Sequence, residues 1–294
     1  MASEPFDYRH VRRSFGRAAS GYAERAVLQH EVEARLLDRL DYITTPPTRI
    51  LDVGSGPGSA SRALKKRWPK AQVVALDLAL PMLRQAKRAA GLWLPRYTTV
   101  CADARALPFA PGSFDLVFSN LCMQWIEDVP GLVAQWRNVL APGGFLALSS
   151  FGPLTLEELR NAFAAVDEAP HVSDFPPIQH IGDALMAGGF RNPVLDTDRF
   201  TLTYPGAMDL MRDLRGIGAS NAVATRRRTL TGKSRLEGAI AAYETFRRPD
   251  GLLPATYEVI YAHAFAPEPG QPVREGGHDL AAVPLSRIPI RRKQ

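Results

Sequence analysis

Three aspartates close three successive apolar runs of this chain: Asp52 in RILDVG (49–54), Asp77 in VVALD (73–77) and Asp103 in TTVCAD (98–103). The first opens a glycine loop, with Gly54, Gly56 and Gly58 following it directly. Glycines there permit a tight strand-to-helix turn and let a ligand approach bare backbone. A carboxylate two residues before the first glycine suits a cationic ligand and repels a pyrophosphate. Asp77 stands 19 residues after Gly58, where an acid accepts both ribose hydroxyls of a bound nucleoside. Asp103 is placed to take an adenine amino group, with Ala104 offering its backbone. Asn120 and Leu121 follow the next apolar run, on the edge where an amino-acid moiety would lie. Each aspartate alone could cap a helix, but three acids at three strand ends beside one glycine loop favour a nucleoside with a cationic tail.

Other chemistries fit less well. A dinucleotide loop would read GxGxxG, but the third glycine position is Ser59, and Asp52 is out of place there. Thr231-Gly232-Lys233-Ser234 matches the end of a phosphate loop, but Arg227 occupies its upstream glycine position. No GxSxG elbow occurs, and Glu157-Glu158 reads as a solvated helix face. The six histidines form no HxxxH pair, so no metal site is expected. Two cysteines without disulfide spacing, no secretory signal at the N-terminus and no apolar stretch of about 20 residues point to a soluble cytoplasmic protein.

Positioning these residues takes alternating strands and helices. Strands are expected at 49–54, 73–77, 98–103, 114–120 and 144–151, with helices at 58–68, 80–90 and 130–140 between them. Near-continuous apolar strands alternating with helices indicate an α/β fold whose mostly parallel sheet is covered on both faces. Ahead of it, 10–40 reads as one helix, with Thr44-Thr45-Pro46-Pro47 as the break. After it come helices at 155–168 and 180–188, a strand at 194–204, a helical basic segment at 206–248 and a last strand at 256–266. Between Arg226 and Arg248 lie seven cations against two anions, either a solvated surface or a docking face for an acidic partner. No stacking aromatics interleave with them, which disfavours nucleic acid. The tail 267–294, rich in Pro, Gly and charge, is expected to be disordered.

Residues 49–150 resemble the class I methyltransferases, with DVGSGPG as their first motif. Further segments are similar to the malonyl-acyl-carrier-protein O-methyltransferase family of biotin synthesis. These are FGRAASGY (15–22), SNLCMQW (119–125), FGPLTLEELR (151–160), DLRGIGASN (213–221), LTGKSRL (230–236) and LPATYEVIYAHAF (253–265). The resemblance covers most of 9–266 and implies a Rossmann-like fold with a seven-stranded sheet, its last strand antiparallel. The whole of 1–266 is then one domain: a cap helix at 10–40, a cofactor-binding core at 46–152 and a helical lid at 206–248. It implies S-adenosylmethionine as cofactor and methylation of the free carboxylate of a malonyl thioester, carried by an acidic carrier protein docking on 226–248 or by coenzyme A. No general base is needed, because that carboxylate is already ionised at neutral pH. Arg215 is the candidate for gripping it, with Asn221 and Tyr22 as supporting donors. The alternatives are methylation of another small molecule such as a quinone, and a methyltransferase-like assembly factor that transfers no methyl.

Overall fold

The computed structural model describes residues 6–91, 96–226, 232–268, 273–275 and 278–280. Three short helices, α1 (Tyr8–Ala18), α2 (Tyr22–Arg25) and α3 (Val27–Asp38), lead into β1 (Arg49–Val53), α4 (Ser59–Arg67), β2 (Gln72–Asp77), α5 (Leu80–Ala90) and β3 (Thr98–Cys101). Next come β4 (Phe114–Ser119), α6 (Val129–Val139), β5 (Leu140–Phe151), α7 (Glu157–Ala164) and α8 (Ile178–Ala187). The last part holds β6 (Arg191–Tyr204), α9 (Ala207–Gly216), α10 (Lys233–Tyr243), β7 (Leu253–Phe265) and the short strands β8 (Val273–Glu275) and β9 (His278–Leu280).

Seven strands form one sheet in the order β3-β2-β1-β4-β5-β7-β6. β1 to β5 pair in parallel, and β7 runs antiparallel to both β5 and β6. The strand order reverses between β1 and β4, and that switch point opens a crevice at the carboxyl ends of the strands. The central strands are buried on both faces because they are apolar throughout; Ile50, Leu51, Leu116, Val117 and Phe118 are all fully enclosed. β6 instead alternates half-buried and exposed positions, as an edge strand with one wet face does. α3 is tied to it: Arg35 pairs with Asp198 at 2.9 Å, and Arg39 pairs with Asp196 while stacking on Tyr261 at 3.8 Å.

Four sequence expectations are corrected here. The single helix at 10–40 is three, broken at Ala19–Gly21 and at Ala26. Ser20-Gly21 is a turn-forming pair set among good helix formers, and the two breaks turn Phe15 and Tyr22 inward together. The helical run 206–248 stops at Gly216, because Gly218 takes φ +81° against the Phe15 backbone; the chain is irregular to Arg226 and helical again from Lys233. Residues 227–231 lie outside the described residues. Glu158 is not on a solvated face: it is buried and accepts from both the backbone N–H and the hydroxyl of Thr256, fastening α7 to β7. In the tail, β8 and β9 pair antiparallel where disorder was expected; the rest beyond Glu268 lies outside the described residues.

Candidate active site

Two chambers meet above the carboxyl ends of β1, β2 and β4. The first is lined by the glycine loop and two of the three strand-end acids. Gly54 (φ +73°) and Gly56 (φ +52°) sit in its floor in the left-handed conformation that side chains resist. A Cβ on Gly54 would lie 2.6 Å from that of Cys122, so this close approach admits glycine alone. Asp77 lines the chamber while its carboxylate accepts from the Gly56 N–H at 2.9 Å and the Ala79 N–H at 2.7 Å. Those bonds fix the loop to the end of β2. Burial raises the Asp77 carboxyl's pKa, and the two N–H groups partly offset this. Asp103 and Ala104 line the far end. Arg105 pairs with Asp103 at 2.7 Å, holding its carboxyl below the ordinary range, and stacks on Tyr8 at 3.3 Å. Asn120 and Leu121 complete the wall. Asn120 donates to the Gln29 carbonyl at 3.0 Å and accepts from Ser149 at 2.7 Å, and Leu121 is held at φ +50°. A non-glycine residue at positive φ marks stored strain of the kind found at functional sites.

The second chamber lies under α1, α9 and the 217–221 turn. Its walls are mostly apolar, with Phe151, Leu159, Phe175, Leu214 and Ile217 among them. Its polar groups include Gln29, Gln124, His171, Ser220 and Asn221, and no lysine or arginine among the described residues lines it. The His171 ring stacks on Phe163 at 3.9 Å, and its Nε2 lies 3.0 Å from the Asp167 carboxylate. Phe15, Tyr22, Leu121 and Trp125 line both chambers and are the partition between them.

Several predicted site residues stand elsewhere than their assigned roles require. Asp52 is only 1% exposed, is not in the chamber wall, and accepts from Ser61 at 2.5 Å. Its pKa is pushed up to about 7, by burial first and then by the charges of Glu33 and Asp77, with Ser61 opposing. It offers the chamber no direct contact. Gly58 does not line the chamber either. It begins α4 at φ +81°, and a Cβ there would meet the Tyr97 hydroxyl at 2.5 Å, so its service is close packing. Arg215 is exposed and absent from the second chamber's wall, since α9 turns Leu214 inward and Arg215 outward. Asn221 does line that wall, but its amide is spent on the Pro170 carbonyl and the Val223 N–H. It thereby pins the segment carrying His171. Tyr22, expected as a supporting donor, lines both chambers at the partition; burial, followed by Asp77 and Glu33, raises its phenol pKa. Among the described residues, the cations of the basic segment pair with carboxylates: Arg226 with Asp7, Lys233 with Glu237, Arg235 with Asp167, Arg247 with Glu244 and Arg248 with Asp250.

Glu33, Gln29, Phe15 and His171 were missed as site residues. Glu33 takes the Ser59 hydroxyl at 2.5 Å and adds a third acid around the glycine loop. The available signal was slight, a polar residue on the inner side of a cap helix.

A model of the methyltransferase domain matches residues 51–148. Malonyl-[acyl-carrier protein] O-methyltransferase of Xylella fastidiosa is 55% identical over 98% of this chain and 98% of its own. The enzyme of that name from Halorhodospira halophila is 46% identical over 99% of this chain and 98% of its own. Among solved structures, a methyltransferase-like protein of Bacillus halodurans superposes with a TM-score of 0.56 at 19% identity, over 80% of this chain and 98% of that one, which speaks for the fold. With its Rossmann-like sheet, its glycine loop and relatives matched end to end, the chain belongs to the malonyl-[acyl-carrier protein] O-methyltransferases, a family of class I methyltransferases.

Proposed function

We propose that the protein methylates the free carboxylate of a malonyl thioester borne on acyl carrier protein, with S-adenosylmethionine as donor. The observation carrying this reading is the pair of chambers sharing one partition: an acid-ringed nucleoside chamber against an apolar one with a single ionisable base, His171. Bound in the first chamber, the cofactor supplies an electrophilic methyl on a cationic sulfur. The residues present fit it. Asp77 would take the ribose, Asp103 with Ala104 the adenine, and the loop at Gly54 and Gly56 with Asn120 and Leu121 the amino-acid end. Glu33, Asp52 and Asp77 supply the negative field that a cation requires.

A malonyl carboxylate is ionised at neutral pH, so the chain needs no general base. The acceptor chamber holds and dries it. Withholding arginine and lysine matters: a guanidinium would stabilise the ground-state anion and blunt its reactivity, whereas only interactions stronger in the transition state accelerate the step. His171, steadied by Asp167 and Phe163, orients the distal oxygen, and Tyr22 sets the line of approach at the partition. Positioning of this kind supplies roughly 7–11 kcal/mol. The buried Gln124 Oε1, which has no hydrogen-bond partner among the described residues, suits an amide N–H of a pantetheine arm. α1 and the 214–221 stretch act as the cover over both ligands, and the two free cysteines suit a reducing compartment. The test is to incubate the protein with S-adenosylmethionine and malonyl-carrier protein and weigh the product. A gain of one methylene on the malonyl group is expected; no gain would support a non-transferring role instead.

A further inference from the structure

The segment 226–248 is rich in cations, but its described cations are matched locally by carboxylates. A different surface carries positive charge without such partners. α1 contains no acidic residue, and neither does α5. The two helices pack together, with Gly16 of α1 set against the Pro81 ring of α5. Arg9, Arg13 and Arg17 lie one turn apart along α1, and Arg84, Lys87 and Arg88 lie along α5. All six are exposed, and none makes an ion pair among the described residues. The nearest carboxylate at the helix start, Asp7, is engaged by Arg226 and by the His10 N–H.

Two further observations tie this face to the site. α1 supplies Phe15 to the partition and Arg12 to the cofactor chamber wall, so the face is the outer side of the cover over both ligands. The His10 ring, on the same helix, is held below the ordinary histidine pKa by burial and by Arg226, with Arg13 and Arg17 adding to the effect against Asp7. At His10 the cations outweigh Asp7, and farther along α1 the exposed Arg13 and Arg17 have no ion-pair partner among the described residues. Uncompensated charge of one sign beside a chamber mouth steers oppositely charged macromolecules, raising on-rates by about 10- to 1,000-fold at low salt.

We propose that the α1–α5 face is where the acidic carrier protein docks, delivering its acyl arm beneath α1 into the acceptor chamber. This rests on the reading of the reaction given above. The partner is a negatively charged folded protein, and the complementary charge is on exposed side chains, so contact at this face sets encounter and not the chemistry. The segment 226–248 then carries the fold of the cover and not the docking.

The test compares Arg13→Glu/Arg17→Glu/Arg88→Glu with Lys233→Glu/Arg248→Glu in the full chain. Each is assayed with malonyl-carrier protein and with malonyl-N-acetylcysteamine, a thioester bearing no carrier and no phosphate. Binding of S-adenosylhomocysteine serves as the check on folding, and the milder Arg13→Gln/Arg17→Gln/Arg88→Gln replaces the triple reversal if that check fails. For the α1–α5 variant, kcat/KM with malonyl-carrier protein should fall at least about tenfold and lose most of its salt dependence. The small thioester should be used within about twofold of the wild type, in line with surface substitutions generally. The Lys233/Arg248 variant should stay near wild type with both. Equal losses on both substrates, an unchanged α1–α5 variant, or a larger loss in the Lys233/Arg248 variant would each overturn the docking face. Retention on phosphatidylglycerol vesicles that the triple substitution abolishes, with carrier kinetics intact, would assign the face to a membrane surface and overturn it too. Failure of the wild-type protein to methylate either substrate would instead remove the reading of the reaction, and the docking face with it.

Discussion

The two chambers handle charge in opposite ways. In the cofactor chamber, Asp77 and Asp103 line the wall together with Arg12, and Glu33 and Asp52 stand behind the glycine loop, where burial favours their protonated forms until a cation arrives. In the acceptor chamber no arginine or lysine among the described residues faces a substrate that is itself an anion. One chamber holds its ligand by complementary charge; the other leaves its ligand's charge to be answered across the partition. The difference teaches where binding energy is used. Cofactor affinity is built into the walls, whereas the acceptor's ionic attraction is reserved for the moment when opposite charges are brought into line and cancel.

Breaking the cofactor side should produce the largest effect. Gly54→Ala forces a side chain onto a left-handed backbone and into Cys122. At about 1–2 kcal/mol for the conformation and about 1–3 for the overlap, cofactor affinity should drop roughly a hundredfold by calorimetry. On the acceptor side, His171→Ala removes the one imidazole that lines the chamber among the described residues. KM for the malonyl thioester should rise about tenfold, as for a lost hydrogen bond to a charged group, while S-adenosylhomocysteine affinity stays put. Parallel loss of both would show that His171 merely props up the fold.

A smaller effect should separate field from contact. The folded-state pKa of Asp52, about 7, exceeds its ordinary 3.8, so between these values the folded protein binds more protons than the unfolded chain. Stability should therefore decline as pH rises across that window, and Asp52→Asn should flatten the decline in thermal melts at pH 5 and pH 8. A cation in the chamber favours the ionised carboxylate, so binding S-adenosylmethionine near pH 7 should release protons. Calorimetry in buffers of different ionisation heat reads that release, and it should vanish in Asp52→Asn. Smallest of all is Arg215→Ala. Exposed and outside the wall, it should change kcat/KM by no more than about twofold. A collapse of malonyl methylation would mean that α9 turns inward during catalysis and that the acceptor chamber gains a cation after all.

The same contrast explains what could be read from the chain alone. Strand ends are local: an apolar run, an acid and a glycine turn occupy contiguous residues, and Gly54, Gly56, Asp77, Asp103, Ala104, Asn120 and Leu121 all line the crevice. The errors there were of depth. Sequence put Asp52 and Gly58 in the motif but did not reveal that Ser61 buries one and Tyr97 packs over the other. The acceptor chamber gathers Phe15, Leu121, His171 and Asn221 from four separate segments. No periodicity marks such residues, because a histidine before an apolar stretch or a glutamate on a cap helix looks like any half-exposed polar group. Arg215 drew attention for its charge, and α9 points it away because the apolar neighbour Leu214 takes the inner side. The expected single helix at 10–40 failed for the same reason. Ala26 is unremarkable locally and becomes a break only when the partition must be built, whereas Ser20-Gly21 is a turn signal that the helix formers around it outweighed.

Among the described residues no lysine or arginine lines the acceptor chamber, and this bears on turnover. A methyl ester has no charge, and an enzyme that had seized its substrate by a guanidinium would be left holding a desolvated, unpaired cation at the end of each cycle. Here the walls around Phe151, Leu159 and Phe175 are as neutral after the reaction as before it. Esterification removes the substrate's ionic claim on the site and leaves no opposing charge stranded, so accumulating ester should be a weak competitive inhibitor against fresh malonyl thioester.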